Sequence, residues 1–235
     1  MIEDTPKNPD AFERRELLDV LARAFRDNPM NVEIHGSRRA RRVRSNRAGL
    51  RALVLDADRQ TVARVIRYGG RVIGGFIAAP PGLFPLPAPS LKRQIGCFWH
   101  QGARAMDRWG HVSHSLNEFR PLLDHWHLSV LGVEPSFQGR GFGGRLLEAL
   151  FAAIAVQPAP LYLESDREES VRFYRARGFE ERAETRVHGV RCWCLGQGFA
   201  DETEDLCDPV RKPDRGGPIP HRARGREASE SEVAL

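Results

Sequence analysis

His127-Leu128-Ser129-Val130-Leu131-Gly132-Val133-Glu134-Pro135-Ser136-Phe137-Gln138-Gly139-Arg140-Gly141-Phe142-Gly143-Gly144-Arg145-Leu146-Leu147-Glu148-Ala149-Leu150-Phe151-Ala152-Ala153-Ile154 is the stretch on which the fold turns. Its aliphatic and β-branched residues up to Val133 read as a buried strand. Pro135 cannot donate to a ladder, so pairing stops there. Gln138 to Gly144 is a glycine-rich turn. After it, Leu146, Leu147, Leu150, Phe151 and Ile154 recur at three- and four-residue spacing, the apolar face of a helix. Strand, glycine loop and helix together hold a phosphate. Glycines let the backbone approach an anion, and the free N–H groups of the first helical turn point at it.

Three phosphate-site readings compete. A nucleoside-triphosphatase loop requires Lys-Ser/Thr after its last glycine. Gly139 and Gly144 have the spacing, but Arg145-Leu146 follows, so the metal-ligating hydroxyl is missing. A dinucleotide fingerprint is formally matched by Gly139, Gly141 and Gly144, with Glu164 about 20 residues on. Its context is wrong, because the turn does not follow the strand directly and too little chain remains for a doubly wound sheet. The third reading is an acyl-coenzyme A pyrophosphate site.

Gln138-Gly139-Arg140-Gly141-Phe142-Gly143, preceded by Val133-Glu134-Pro135, closely resembles the Gln/Arg-x-x-Gly-x-Gly/Ala signature of the GNAT superfamily of N-acetyltransferases. The resemblance continues through Leu161-Tyr162-Leu163-Glu164 and through Ser170-Val171-Arg172-Phe173-Tyr174-Arg175-Ala176-Arg177-Gly178-Phe179. That last run is similar to the family's Asn/Ser-x-x-x-Phe-Tyr-x-x-x-Gly-Phe segment. The implied fold is α/β, a mixed and mostly antiparallel sheet flanked by helices. The implied activity is direct transfer of acetyl from acetyl-CoA, a co-substrate, to an amine, with no metal.

The resemblance also implies roles. The backbone of Leu131, Gly132 and Val133 holds the pantetheine arm and offers N–H groups to the thioester oxygen. Gln138, Gly139, Arg140, Gly141, Phe142, Gly143, Gly144 and Arg145 hold the pyrophosphate. Ser170, where the family often has Asn, and Phe173 flank the pantetheine. Tyr174 matches the family's general acid, and a phenol of pKa ~10 keeps its proton at neutral pH. His127 stands where several members carry a Glu or His facing the amine, and an imidazole of pKa ~6.5 suits proton removal. His125, His114, Glu118 and a water chain compete for that role.

A chain of 235 residues with 41% hydrophobic residues is long enough for one domain with a full core. No apolar run approaches the ~20 residues that span a bilayer. Met1 to Pro6 lacks the basic-then-apolar pattern of a signal peptide. Cys97, Cys192, Cys194 and Cys207 have neither disulfide-framework nor zinc spacing, which fits a reducing cytoplasm. The net charge of +5 includes the cluster Arg38-Arg39-Ala40-Arg41-Arg42-Val43-Arg44. Without interleaved aromatics to stack on bases, this reads as a solvated basic helix face rather than a nucleic-acid site. An intermediate reading is electrostatic steering of anionic coenzyme A.

In chain order, residues 1–10 read as a frayed terminus. Helices are expected over Phe12 to Phe25 and Arg38 to about Leu55. In the fold that the resemblance implies, Asn28 to Arg44 borders the acceptor. Thr61–Ile66 and Arg71–Ala79 are strands joined at Tyr68-Gly69-Gly70. Pro80 to Pro89 is a rigid loop. Leu91 to His114 is helix-capable and similar in place to an insertion in puromycin-modifying acetyltransferases; it either walls the acceptor pocket or fills the core. Asp166 or Ser165 caps the helix that carries Tyr174, and Gly178 stops it. Glu180–Val187 and Val190–Leu195 are the last strands.

The domain is expected to span 1–200. Residues 201–235, rich in Asp, Glu, Arg, Pro and Gly, have the composition of a disordered tail. A chain truncated near residue 200 is expected to keep its melting temperature and its coenzyme affinity; a loss of either would place the tail on the domain. The acceptor is a small-molecule or protein amine, and the protein is a monomer or homodimer. A non-catalytic acyl-CoA-binding module of the same fold is the alternative function, ahead of nucleic-acid binding through Arg38–Arg44.

Overall fold

Seven strands pair in the order β1-β2-β3-β4-β5-β7-β6 in the computed structural model, which describes residues 2–56 and 60–199. They are β1 (Ile2–Lys7), β2 (Val62–Tyr68), β3 (Arg71–Ala79), β4 (Trp126–Val133), β5 (Leu161–Ser165), β6 (Glu180–Val187) and β7 (Val190–Gln197). Only β4 and β5 run parallel; every other pair is antiparallel. Seven α-helices accompany them among the described residues: α1 (Ala11–Ala24), α2 (Pro29–His35), α3 (Arg39–Asp56), α4 (Leu91–Gln101), α5 (Ala103–Asn117), α6 (Phe142–Val156) and α7 (Glu168–Arg175). The mixed, mostly antiparallel sheet flanked by helices is the expected architecture.

Two apolar layers sandwich the sheet. On one face Leu146, Leu147 and Leu150 of α6 and Val171 and Tyr174 of α7 pack on Phe76, Trp126, Leu128, Leu161, Leu163 and Leu195. On the other, Leu17, Leu18 and Leu21 of α1 cover Val65, Val72 and Ile77. Met30 and Ile34 of α2, with Val112 and Leu116 of α5, cover Tyr162, Cys192 and Cys194. Alternation along β5 therefore sends Leu161 and Leu163 to the α7 face and Tyr162 and Glu164 to the α2 face.

The structure corrects several expectations. Residues 2–7 are a strand rather than a frayed end: they pair with β2, whose outer ladder groups would otherwise be an open edge. α1 ends at Ala24, and Pro29 starts α2, because it stands at the first helical position, where its missing N–H costs nothing. The ambiguous 91–114 stretch is two helices, broken at Gly102 with φ 84°. Arg42 is not part of a solvated face. Only 5% exposed, it donates to the carbonyls of Arg26, Gly36 and Ser37 and pairs with Asp27, tying α3 to the α1–α2 turn. Arg38, Arg39, Arg41 and Arg44 remain exposed. The expected tail, 201–235, lies outside the described residues, as do the side chains of Leu53 and Val54. No helix among the described residues is long and apolar enough to cross a membrane.

His35 supplies a pH prediction. Its ring is buried and accepts from Trp109 Nε1 at 3.2 Å, while its Nδ1 has no protein partner. Burial, with Arg41 and Arg108 adding to it, drives its pKa down to about 4. An unfolded His titrates near 6.5, so the unfolded chain binds this proton first and the fold loses stability as pH falls through that window. The melting temperature should drop between pH ~6.5 and ~4, and His35→Gln should flatten part of that drop. An unchanged slope in the variant would place the pH sensitivity elsewhere.

Candidate active site

β4 and β5 pair at only two positions, Trp126 with Leu161 and His127 with Tyr162. Beyond them the strands part. A bulge drives the separation: Val130 pairs with Ile77 and Leu128 with Ala78, which leaves Ser129 as the extra residue. A bulge adds local twist and leaves backbone groups unpaired. The Ser129 hydroxyl is buried there without a protein partner. A cation–carboxylate pair holds the far end of β4, where Arg23 Nε of α1 lies 3.0 and 2.9 Å from the two Glu134 oxygens. Gly132 lets α1 sit close, since a Cβ there would stand 2.9 Å from Leu21 and 3.1 Å from Ala24.

The gap opens into a cleft of about 400 Å³. Its strand wall is Leu131, Gly132 and Val133; its floor is Gln138, Gly139 and the start of α6. Gly139 and Gly141 have φ 74° and 84°, conformations that side-chain-bearing residues seldom adopt. Gly141 begins α6, and the first bond into the helix is from Arg145 N–H to the Gly141 carbonyl. The N–H groups of residues 142–144 thus have no partner within the helix. Gln138 Nε2 donates to the Val133 carbonyl at 2.9 Å, bracing the loop against the strand end.

Most of the residues expected to hold coenzyme line this one cleft: Leu131, Gly132, Val133, Gln138, Gly139, Gly141, Phe142, Gly143, Gly144, Ser170 and Phe173. Arg140 and Arg145 lie outside its lining. Their guanidinium groups sit over the rings of Phe137 and Phe142, at 5.3 and 5.8 Å. The arginines in the lining are Arg167 and Arg177, which sequence reasoning did not single out. Arg177 stacks 3.8 Å over the Phe173 ring and donates to that residue's carbonyl, which fixes its charge at the rim. Its place in the Phe-Tyr-x-x-x-Gly-Phe run was the available signal. Phe25 and Asn28 close the other end.

A pyrophosphate-bearing acyl carrier fits this cleft on three counts. Open space lies over Gly139 and Gly141, unpartnered N–H groups face it, and two arginines line its rim.

Tyr174 enters the cleft from α7, its ring in edge contact with Phe173 and Phe179 at 5.1 and 5.2 Å. Among the described residues its hydroxyl makes no hydrogen bond, and burial raises its pKa, so the proton stays on at neutral pH. The expected cap of α7 is different. Arg167 holds the cap position, and Asp166 turns away to accept from Met30 N–H at 2.7 Å and Asn28 Nδ2 at 3.0 Å. It thereby satisfies the first turn of α2, whose own cap residue, Asn28, makes no side-chain capping bond.

His127 does not line the cleft. It is 3% exposed, on the α2 face, with Phe84 stacked on it at 3.6 Å. Its Nε2 lies 3.3 Å from Glu164 Oε2, while Nδ1 has no hydrogen-bond partner among the described residues. Burial holds its pKa well below the usual value, so the ring is neutral and partners Glu164. Of its competitors, His114 is exposed on α5, and Glu118 lies just beyond that helix. His125 is buried, bonded through Nδ1 to the Leu123 carbonyl at 2.7 Å.

Comparisons with known proteins agree with this fold. The family model described as acetyltransferase (GNAT) domain matches residues 98–181. The histone acetyltransferase HPA2 and related acetyltransferase of Corynebacterium glutamicum superposes with a TM-score of 0.60 at 20% identity, over 85% of this chain and 98% of that one. The Drosophila melanogaster polyamine N acetyltransferase gives 0.58 at 16%, over 82% and 96%. The PaiA N-acetyltransferase of Thermoplasma acidophilum, in complex with coenzyme A, gives 0.52 at 12%, over 85% and 99%. At such identities the likeness is one of fold.

Proposed function

We propose that this chain, whose residues 98–181 match a GNAT acetyltransferase domain model, is an N-acetyltransferase that passes the acetyl group of acetyl-CoA directly to a primary amine. The observation that carries the proposal is the cleft itself. One continuous surface joins the anion-accepting turn at Gly139–Gly144, the parted end of β4 and the hydroxyl of Tyr174. The thioester supplies an activated acyl carbon and a thiolate leaving group.

The chain's residues do the rest. The N–H groups of 142–144, with Arg167 and Arg177, bind the phosphates. The side of Leu131–Val133 that faces away from β3, which β5 does not pair, orients the pantetheine and offers N–H groups where charge develops on oxygen. Ser170 and Phe173 flank the arm. Tyr174 donates its proton to sulfur, which burial helps by keeping the phenol neutral. A small-molecule amine is the favoured acceptor, since the polyamine enzyme shares this fold.

The test is thiol release from acetyl-CoA in the presence of a panel of primary amines. Release that rises with one amine supports the proposal. Tight binding of acetyl-CoA with no release under any amine would assign the chain to the non-catalytic acyl-CoA-binding alternative.

A further inference from the structure

On the far side of the β4–β5 gap from Tyr174 stands a carboxylate that the proposed function has not used. Glu164 lies two residues beyond Tyr162, the last β5 residue paired with β4, and shares its face. Its side chain keeps 14% of its surface exposed, whereas His127 beside it keeps 4%. Arg120 Nε donates to Oε1 at 2.9 Å and the His127 ring faces Oε2 at 3.3 Å. Arg120 is itself fixed, donating to Asn117 and lying 4.5 Å over the Phe84 ring. Phe84, in turn, covers His127. Such a shell holds one carboxylate in one orientation on the α2 face of β5, beyond the last residue paired with β4 and outside the cleft lining. Asp166, the neighbouring carboxylate, is committed to α2.

We propose that Glu164 is the proton acceptor for the incoming amine, with Arg120 and His127 as its positioning residues. The inference rests on the acetyltransferase reading above and names a residue within it. Tyr174 reaches the gap from the α7 face and Glu164 from the α2 face, so acid and base flank the acyl carbon from opposite sides. Glu164 takes one proton from the ammonium. The neutral nitrogen forms its bond to the thioester carbonyl carbon as the C–S bond breaks. Tyr174 protonates the departing sulfur and its phenolate regains a proton from the new amide nitrogen. Glu164 then returns its proton to water, so one proton leaves per ammonium consumed.

The groups around Glu164 set the pH at which this works. Burial raises its pKa and Arg120 opposes that. Neutral His127 and His125 on β4, the Tyr162 phenol on β5 and the Cys192 and Cys194 thiols on β7 add no charge near neutrality. Asp166, farther along the same chain segment, is the remaining carboxylate. A carboxylate whose pKa is raised by burial holds an accepted proton more readily than an exposed one, which suits a proton acceptor.

The test has two arms on the full chain. In the first, without any amine, the His127 ring carbons are followed by NMR against pH. A step above pH ~4.3 is expected from Glu164. It should vanish in Glu164→Gln and move to higher pH in Arg120→Met, which removes the opposing cation. A step unaffected by Glu164→Gln overturns the assignment. In the second arm, thiol release is measured with acetyl-CoA and n-butylamine, benzylamine, agmatine and spermidine. Glu164→Gln should lower kcat ~100-fold with acetyl-CoA affinity unchanged by calorimetry. An active parent and an equally active variant would remove Glu164 and leave the acetyltransferase reading standing. A parent inactive with every amine would overturn both.

Discussion

Gly141→Val is expected to weaken coenzyme binding ~100-fold while leaving the fold intact. The residue holds φ 84° at the start of α6 and lines the cleft. The left-handed conformation costs a side-chain-bearing residue about 1–2 kcal/mol, and a β-branched one is a stronger outlier. The loop would relieve that strain by turning away, and the N–H groups of 142–144 would no longer converge on the phosphates. Hydrogen bonds to a charged group contribute about 1.5–3 kcal/mol each. Strain and one lost contact together reach ~3 kcal/mol, which is ~100-fold in affinity. Among the described residues nothing lies within 4 Å of a Cβ placed there, so the added Cβ meets no clash. The circular dichroism should therefore stay native while calorimetry shows affinity lower by ~100-fold. Unchanged affinity would remove the phosphate from this turn.

Tyr174→Phe should act on turnover alone. The ring packs by its edges on Phe173 and Phe179, and phenylalanine keeps those contacts. The hydroxyl holds no structural partner among the described residues, so its loss leaves no buried group stranded. Coenzyme affinity should hold, because the proton matters only as the thiolate develops. The expected loss is ~100-fold in kcat and in kcat/KM alike, the pattern of an interaction made in the transition state. Retained turnover would make Tyr174 a packing residue and send the sulfur to another proton source.

What the sequence disclosed and what it hid follow from the range of the forces involved. The turn at Gly139–Gly144 and the helix after it were legible because their causes are local: glycine's freedom at positive φ, and apolar side chains three and four apart. The hairpin at Gly69-Gly70 was legible for the same reason. β1 was not, since its pairing answers the open edge of β2 some sixty residues away. Asp166 read as a cap for the helix beside it, the nearest set of free N–H groups. Folding brought α2, 136 residues earlier, within reach of the same carboxylate. His127 stood out as a lone imidazole on the right strand. Its chemistry depends on Glu164, Arg120 and Phe84, which no spacing rule connects. Arg42 looked like one of a run of surface cations, and only the carbonyls gathered around it separate it from its neighbours.

The proposed reaction is a single direct transfer in which the acetyl group never rests on the protein. One measurement tests this most directly. The protein is incubated with acetyl-CoA carrying a labelled acetyl carbon and with the amine panel, and thiol, amine and protein are assayed together. The account predicts one labelled amide per thiol released, with no label left on the chain. Thiol release that ignores the amine, or label retained on the protein, would contradict it.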